Sequence, residues 1–172
     1  MKQENQSTQE TKGLPRSKKY MVFTLGEDRF AIPLFQVKEV IGLIKITPIP
    51  DVPKYFKGLI NLRGRIISTL DLRAKLGIPL KEAQAKKSCI IISELTEVLI
   101  GTIVDNVSEV VSIEESQIER QLDISSKISR EYITGIAKID GKPLTILLDI
   151  GKVLDVSELA ALRTHEPINQ AA

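Results

Sequence analysis

The chain has 172 residues, 42% of them hydrophobic and 27% charged, which is enough apolar material to bury a core as one domain or as two small ones sharing an interface. Its 24 basic and 22 acidic residues leave a formal net charge of +2, and aromatic residues make up only 4%, with no tryptophan. That balance excludes a broad field for nucleic acid or anionic lipid, and an aromatic platform for bases or sugars.

Residues 1–19 are polar and without apolar periodicity, so a disordered tail is expected there. They lack the apolar core of a secretory signal, and no later stretch approaches the roughly 18 uninterrupted apolar residues of a membrane span. A soluble, cytoplasmic protein with no direct membrane insertion is the expectation.

Met21, Phe23 and Leu25 alternate with their neighbours, as do Phe30, Ile32 and Leu34 after Gly26-Glu27-Asp28, which predicts a β-hairpin. Val37 to Ile41 reads as a strand. Pro48, Pro50 and Pro53 then forbid a regular helix or central strand, leaving a loop with one helical turn around Tyr55. Leu59 to Leu70 predicts two strands joined at Arg63-Gly64, and Asp71 is placed to cap a short helix, Leu72 to Leu76, closed by Gly77. Residues 79–88 are a polar linker.

Ser88 to Ser93 and Val98 to Val104 form a second hairpin-like pair, followed by a strand Val107 to Val111 and a capping-box spacing from Ser112 to Glu115. Glu119 to Arg130 is polar and Ser-rich, as a long loop would be. Tyr132 to Leu148 repeats the strand-turn-strand pattern around Asp140-Gly141, and Ser157 to Arg163 predicts an amphipathic C-terminal helix within 156–172.

An offset of 77 residues lays Tyr55-Phe56-Lys57-Gly58-Leu59 over Tyr132-Ile133-Thr134-Gly135-Ile136 and Gly64 over Gly141. Val37-Lys38-Glu39-Val40-Ile41 likewise resembles Val107-Ser108-Glu109-Val110-Val111, and Ala31 falls where Gly101 sits in the later copy. The expected fold is therefore all-β: two small barrels related by internal duplication, since closure removes aggregation-prone edges. Barrels this small are filled with side chains, so binding should occur outside or between them.

Candidate chemistry is sparse. His165 stands in the C-terminal tail with no partner motif, so a Ser-His-Asp arrangement has no base. Cys89 lies in the apolar run Cys89-Ile90-Ile91-Ile92 and reads as a buried thiol. Asp71, Asp105 and Asp149 each follow an apolar strand. They are either capping residues, which recur because the fold recurs, or strand-end carboxylates of an enzyme or metal site. The phosphate-loop, dinucleotide and zinc-protease motifs are missing, so no catalytic residue, metal or cofactor is expected.

Arg63 occupies a hairpin position that in the second copy is held by Asp140. Either its turn is of another type and the arginine is solvated, or the guanidinium is kept at the tip to bind a partner's carboxylate or carbonyls. A small nucleic-acid-binding barrel is the alternative function class, resting only on Arg63-Gly64-Arg65 and Lys86-Lys87.

Phe23-Thr24-Leu25-Gly26, Val37-Lys38-Glu39-Val40, the block Gly58 to Arg65 with Asp71-Leu72-Arg73 after it, and Gly101 to Val107 resemble the CheW family over residues 20–155. One departure is Ser68-Thr69, where relatives commonly carry a proline. The resemblance implies two five-stranded SH3-like barrels forming a non-catalytic scaffold. Such a scaffold couples the cytoplasmic tip of methyl-accepting chemoreceptors to the histidine kinase CheA. It also implies receptor contacts at Val37, Glu39, Gly58 and Arg63, and kinase contacts at Gly101, Val110 and neighbouring second-barrel strands. The kinase's regulatory domain shares the signature, but this chain has no room for the kinase's other domains or for the receiver of CheV, so a stand-alone adaptor is expected.

Overall fold

A computed structural model describes residues 16–79, 87–122, 131–154 and 158. The expected linker, the Ser-rich loop and the C-terminal helix lie largely outside the described residues.

The first half of the chain runs through β1 (Ser17–Leu25), β2 (Asp28–Pro33), β3 (Val37–Gly42), β4 (Phe56–Leu62), β5 (Arg65–Asp71) and α1 (Leu72–Leu76). The second half repeats the series with β6 (Cys89–Leu95), β7 (Val98–Val104), β8 (Asn106–Glu114), the short β9 (Ile118–Glu119), β10 (Ile133–Ala137), β11 (Thr145–Leu148) and α2 (Ile150–Val153). Strand β1 begins earlier than the expected tail allows, because Lys18 and Lys19 pair with Ile113 and Ser112 of β8. Cross-strand pairing, which local polarity does not reveal, orders them.

The strands form a six-stranded sheet, β8-β1-β2-β11-β10-β9, and a five-stranded sheet, β3-β6-β7-β5-β4. Laying the second half over the first, element for element, turns one order into the other apart from β9. Even the parallel pairs correspond, β11 with β2 and β5 with β7. Each sheet is nevertheless mixed. The hairpin β1-β2 sits with β8, β10 and β11, while β6-β7 sits with β3, β4 and β5, so the two repeats exchange their first hairpins.

The exchange explains the apolar runs. In β6, Ile90 and Ile92 enter a cluster with Ile60, Ile67 and Ile103 inside the five-stranded barrel, while Ile91 and Leu95 face the larger core between the barrels. In β1, Tyr20 and Val22 fill the other barrel with Ala31, Ile113, Ala137 and Leu147, while Met21, Phe23 and Leu25 join the shared core. A hairpin buried on both faces reads as continuous apolar sequence. At about 25 cal/mol per Å², burying each such side chain contributes roughly 1.5–3 kcal/mol, so the shared core is a major source of cohesion.

Three local expectations are corrected. The loop before β4 makes a hydrogen-bonded turn, with the Phe56 N–H donating to the Pro53 carbonyl at 2.9 Å, rather than a helical turn. The cap after β8 sits two residues later than expected: β8 continues to Glu114, whose N–H donates to Gln117 Oε1 at 2.9 Å across the 3-10 turn Glu115–Gln117. The turn at Asp140-Gly141 forms, with the Lys142 N–H donating to the Ile139 carbonyl at 3.1 Å, but only Gly141, not Asp140, has a positive φ. The β10–β11 ladder stops at Ala137 and Thr145, short of the turn and of Pro143, which can donate no ladder bond.

Candidate partner-binding surface

Strands β3 and β4 are the two edges of the five-stranded sheet. Glu39 on β3 and Arg63 at the β4–β5 tip join those edges: Arg63 Nη1 donates to Glu39 Oε1 and Nη2 to Oε2, both at 3.0 Å. An isolated antiparallel bridge of Thr47 with Leu59 pairs the segment after β3 with β4. The tip is a two-residue turn, Leu62 opposite Arg65, with φ of 52° at Arg63 and 83° at Gly64, the signs of a type I′ turn. Arg63 thus occupies a conformation that costs a non-glycine residue about 1–2 kcal/mol, and its side chain is ion-paired yet 74% exposed. The reading of another turn type is overturned, since Arg63 does take the strained position, and the carboxylate its fork meets here belongs to this chain.

Val37, half-buried, packs against the rim of the shared core, with Val52 and Tyr55 also on that rim, while the register shift between Val37 and Glu39 sets Glu39 opposite Ile92 of β6. Outward from this rim Val40, Leu43 and Ile44 are exposed apolar side chains. Leu43 and Ile44 carry no periodic signal, which is why sequence reasoning passed over them.

Gly58 and Gly101 are buried within the chain. At Gly58, φ is 135°, and an added Cβ would stand 2.0 Å from the Thr47 carbonyl oxygen. A bulge between Phe56 and Gly58 and the bond from Thr69 Oγ1 to the Gly58 carbonyl, 2.9 Å, fix the spot. Gly135 holds the matching bulge in the other barrel. Gly101 is on β7, opposite Thr69 in the five-stranded sheet and not in the barrel of β10 and β11. A Cβ there would lie 2.8 Å from Thr69 Cγ2 and 3.0 Å from Ile90 Cγ2. Gly101 and its counterpart Ala31 are small because they point into filled barrels.

Val110, half exposed, lies on the edge strand β8 of the six-stranded sheet at the position matching Val40. Beside it Glu109, the counterpart of Glu39, bonds Lys142 at the β10–β11 tip and Arg29 of β2, the latter at 3.0 Å. Hydrogen bonds from Lys142 and then Arg29 pull the Glu109 carboxyl below its ordinary value. Each barrel therefore ties its third strand to its last hairpin with a glutamate and a basic residue.

The three aspartates have structural partners. Asp71 Oδ1 accepts from the Arg73 and Ala74 N–H groups, and Asp149 Oδ1 from Gly151 N–H. Asp105 Oδ2 accepts from Gly26 N–H at 2.6 Å, while its Oδ1 lies 2.7 Å from Arg73 Nη1. Arg73, buried, thus bridges α1 of one barrel to the β1–β2 turn of the other through Asp105. This role of Arg73 has no local sequence signal, because its partner lies far along the chain. Cys89 has its thiol pushed up mainly by burial, which suppresses the thiolate. Among the described residues no group of three or more His, Cys, Asp and Glu is arranged to hold a metal ion, and no helix is long and apolar enough to cross a membrane.

Two SH3-like barrels, joined by exchanged hairpins around a shared core and carrying exposed edge strands with apolar and ion-paired residues, define a two-barrel scaffold. Residues 19–158 match the CheW-like domain model, and the chain belongs to the CheW family of chemotaxis adaptors. The chemotaxis protein CheW of Klebsiella aerogenes is 33% identical over 144 residues, 82% of this chain and 84% of that protein. The chemotaxis protein CheW of Thermotoga maritima is 35% identical over 133 residues, 77% of this chain and 85% of its own length. The crystal structure of the scaffolding protein CheW from Thermoanaerobacter tengcongensis superposes with a TM-score of 0.75 at 37% identity, covering 83% of this chain and 96% of that one.

Proposed function

We propose that this chain is a non-catalytic coupler that links the cytoplasmic tip of a methyl-accepting chemoreceptor to the histidine kinase CheA, recruited to membrane-associated arrays from the cytoplasm. The observation that carries the reading is the Glu39–Arg63 pair, exposed on the closing seam of one barrel beside the half-buried Val37. An apolar strip flanked by a neutralised ion pair suits a helical hairpin tip, whose apolar side chains need burial and whose carboxylates or carbonyls can meet the outer donors of Arg63.

In this reading Val37, Glu39 and Arg63 touch the receptor, and Gly58 acts by holding the Thr47–Pro48 segment under that surface. Val110 offers the exposed edge of β8 to the kinase, while Gly101 serves that contact only through the packing of β7. The nucleic-acid alternative loses one of its few cations, since Arg63 is neutralised by Glu39. The test is titration of the full chain with a receptor cytoplasmic fragment and, separately, with the kinase regulatory domain. Saturable binding to both, with Arg63→Ala weakening the receptor only, is the expected result. Failure to bind either overturns the reading.

A further inference from the structure

Strand β1 is paired along both edges only from Tyr20 onward. On one side Ser17, Lys18 and Lys19 meet Glu114, Ile113 and Ser112 of β8. On the other, β2 reaches only as far as Pro33 opposite Tyr20, and the chain then turns away through the 3-10 turn Leu34–Gln36. Among the described residues Ser17–Lys19 therefore have no strand partner on that side. A row of backbone N–H and C=O groups left open in this way is a template for an added strand.

The notch is furnished for an occupant. A depression there is lined by Lys18, Lys19, Pro33, Leu34 and Phe35. Phe35 is 83% exposed, the most exposed of the large hydrophobic side chains among the described residues. No ion pair is formed by Lys18 or Lys19 among the described residues, and Glu115, within electrostatic reach of Lys18, is held by Arg120 at 2.6 Å. Neighbours on a strand, Lys18 and Lys19 present their unneutralised ammonium groups to opposite faces of β1, so they complement a strand that carries carboxylates on both faces and an apolar side chain to meet the apolar floor.

We infer that this notch binds an extended acidic segment of a partner protein, which adds as a strand to β1 where β2 stops, seats an apolar side chain against Phe35 and sets carboxylates against Lys18 and Lys19. The site is distinct from the Glu39–Arg63 seam, so it stands or fails apart from the proposed receptor contact.

The test uses the full chain and a fluorescein-labelled peptide of three Glu-Glu-Val repeats, which in a strand carries carboxylates on both faces, followed by fluorescence anisotropy at low and at physiological salt. Saturation below about 1 mM, weakened by salt, is expected. Phe35→Ser and the double variant Lys18→Glu/Lys19→Glu should each lower affinity at least about tenfold while leaving the melting temperature unchanged, because none of the three side chains is buried. A Lys-Lys-Val repeat peptide should not bind, and the Glu-Glu-Val peptide N-methylated at alternate residues should bind at least about tenfold more weakly, since its added strand loses its donors. Absence of saturation, equal binding by the substituted proteins, or full affinity of the N-methylated peptide overturns the inference. A wild-type dimer in sedimentation that Phe35→Ser abolishes would overturn it in favour of a second copy of this chain.

Discussion

Glu39 and Arg63 separate two roles that a contact alone would confuse. As a largely exposed pair they contribute at most about 1 kcal/mol to stability, so Glu39→Ala and Arg63→Ala should melt within a few degrees of the wild type. If Arg63 also meets the receptor, Arg63→Ala should lose receptor affinity, and Arg63→Lys should regain only part of it, because lysine cannot form the planar fork. Wild-type affinity in Arg63→Ala would assign the pair to barrel closure alone. The buried glycines behave oppositely. Gly58→Asp forces a side chain into the Thr47 carbonyl at a positive φ, so a loss of about 3 kcal/mol or more is expected, seen as a fall in urea midpoint. Gly101→Ala should cost about 1–3 kcal/mol by overpacking against Thr69, and Thr69→Ser, which removes the obstructing methyl yet keeps the hydroxyl bonded to Gly58, should restore much of it. Additive losses in the double variant would refute this account of Gly101. The sequence could flag Gly58, Gly101 and Arg63 as unusual, but not why, because Thr47, Thr69 and Glu39 come near them only in three dimensions.

Strands, turns and caps that depend on neighbouring residues were legible. Alternation located β1 to β5, and Asp71 with Gly77 bracketed α1. What local pattern missed was set by pairing across the sheet: the ordered start of β1, the longer β8, and the β10–β11 ladder that stops at Ala137 and Thr145 although the turn at Asp140-Gly141 forms. The repeated glutamates illustrate how an element is held. Glu109 ties β8 to β2 and to the β10–β11 tip, and its carboxyl titrates below the ordinary value of 4.5 because Lys142 and Arg29 hold the charged form. A depressed native pKa means stability that is complete above the unfolded-chain value and is lost as pH falls through the native value. Glu109→Gln should therefore lower the urea midpoint by a constant amount from neutral pH down to roughly pH 5, and the deficit should shrink below that. A deficit unchanged into strong acid would show that the side chain acts by packing rather than charge.

The exchange of hairpins decides how the molecule as a whole can come apart. The sequence displayed the duplication, and with it the natural inference that each repeat folds as its own barrel. It could not display the exchange, since either repeat's hairpin fits the same alternation. In the folded chain the five-stranded barrel without β6 and β7 would lose Ile90 and Ile92 from its interior, and the six-stranded barrel without β1 and β2 would lose Tyr20, Val22 and Ala31. Arg73 adds a buried link across the halves through Asp105, and Arg73→Ala should cost about 3–5 kcal/mol because it leaves a buried carboxylate without its partner. Two independent barrels would melt in two steps, whereas exchanged ones must melt together, so a single cooperative transition with equal calorimetric and van't Hoff enthalpies is expected. The sharper test cuts the chain between Pro79 and Lys87. Each fragment alone lacks the hairpin that fills its barrel and should remain unfolded by circular dichroism. Mixed in equal amounts the two should assemble into one folded, noncovalent complex whose stability rises with concentration. A fragment that folds alone into a cooperative barrel would mean that the hairpins can return to their own repeats, and the exchange would then be one of two available arrangements.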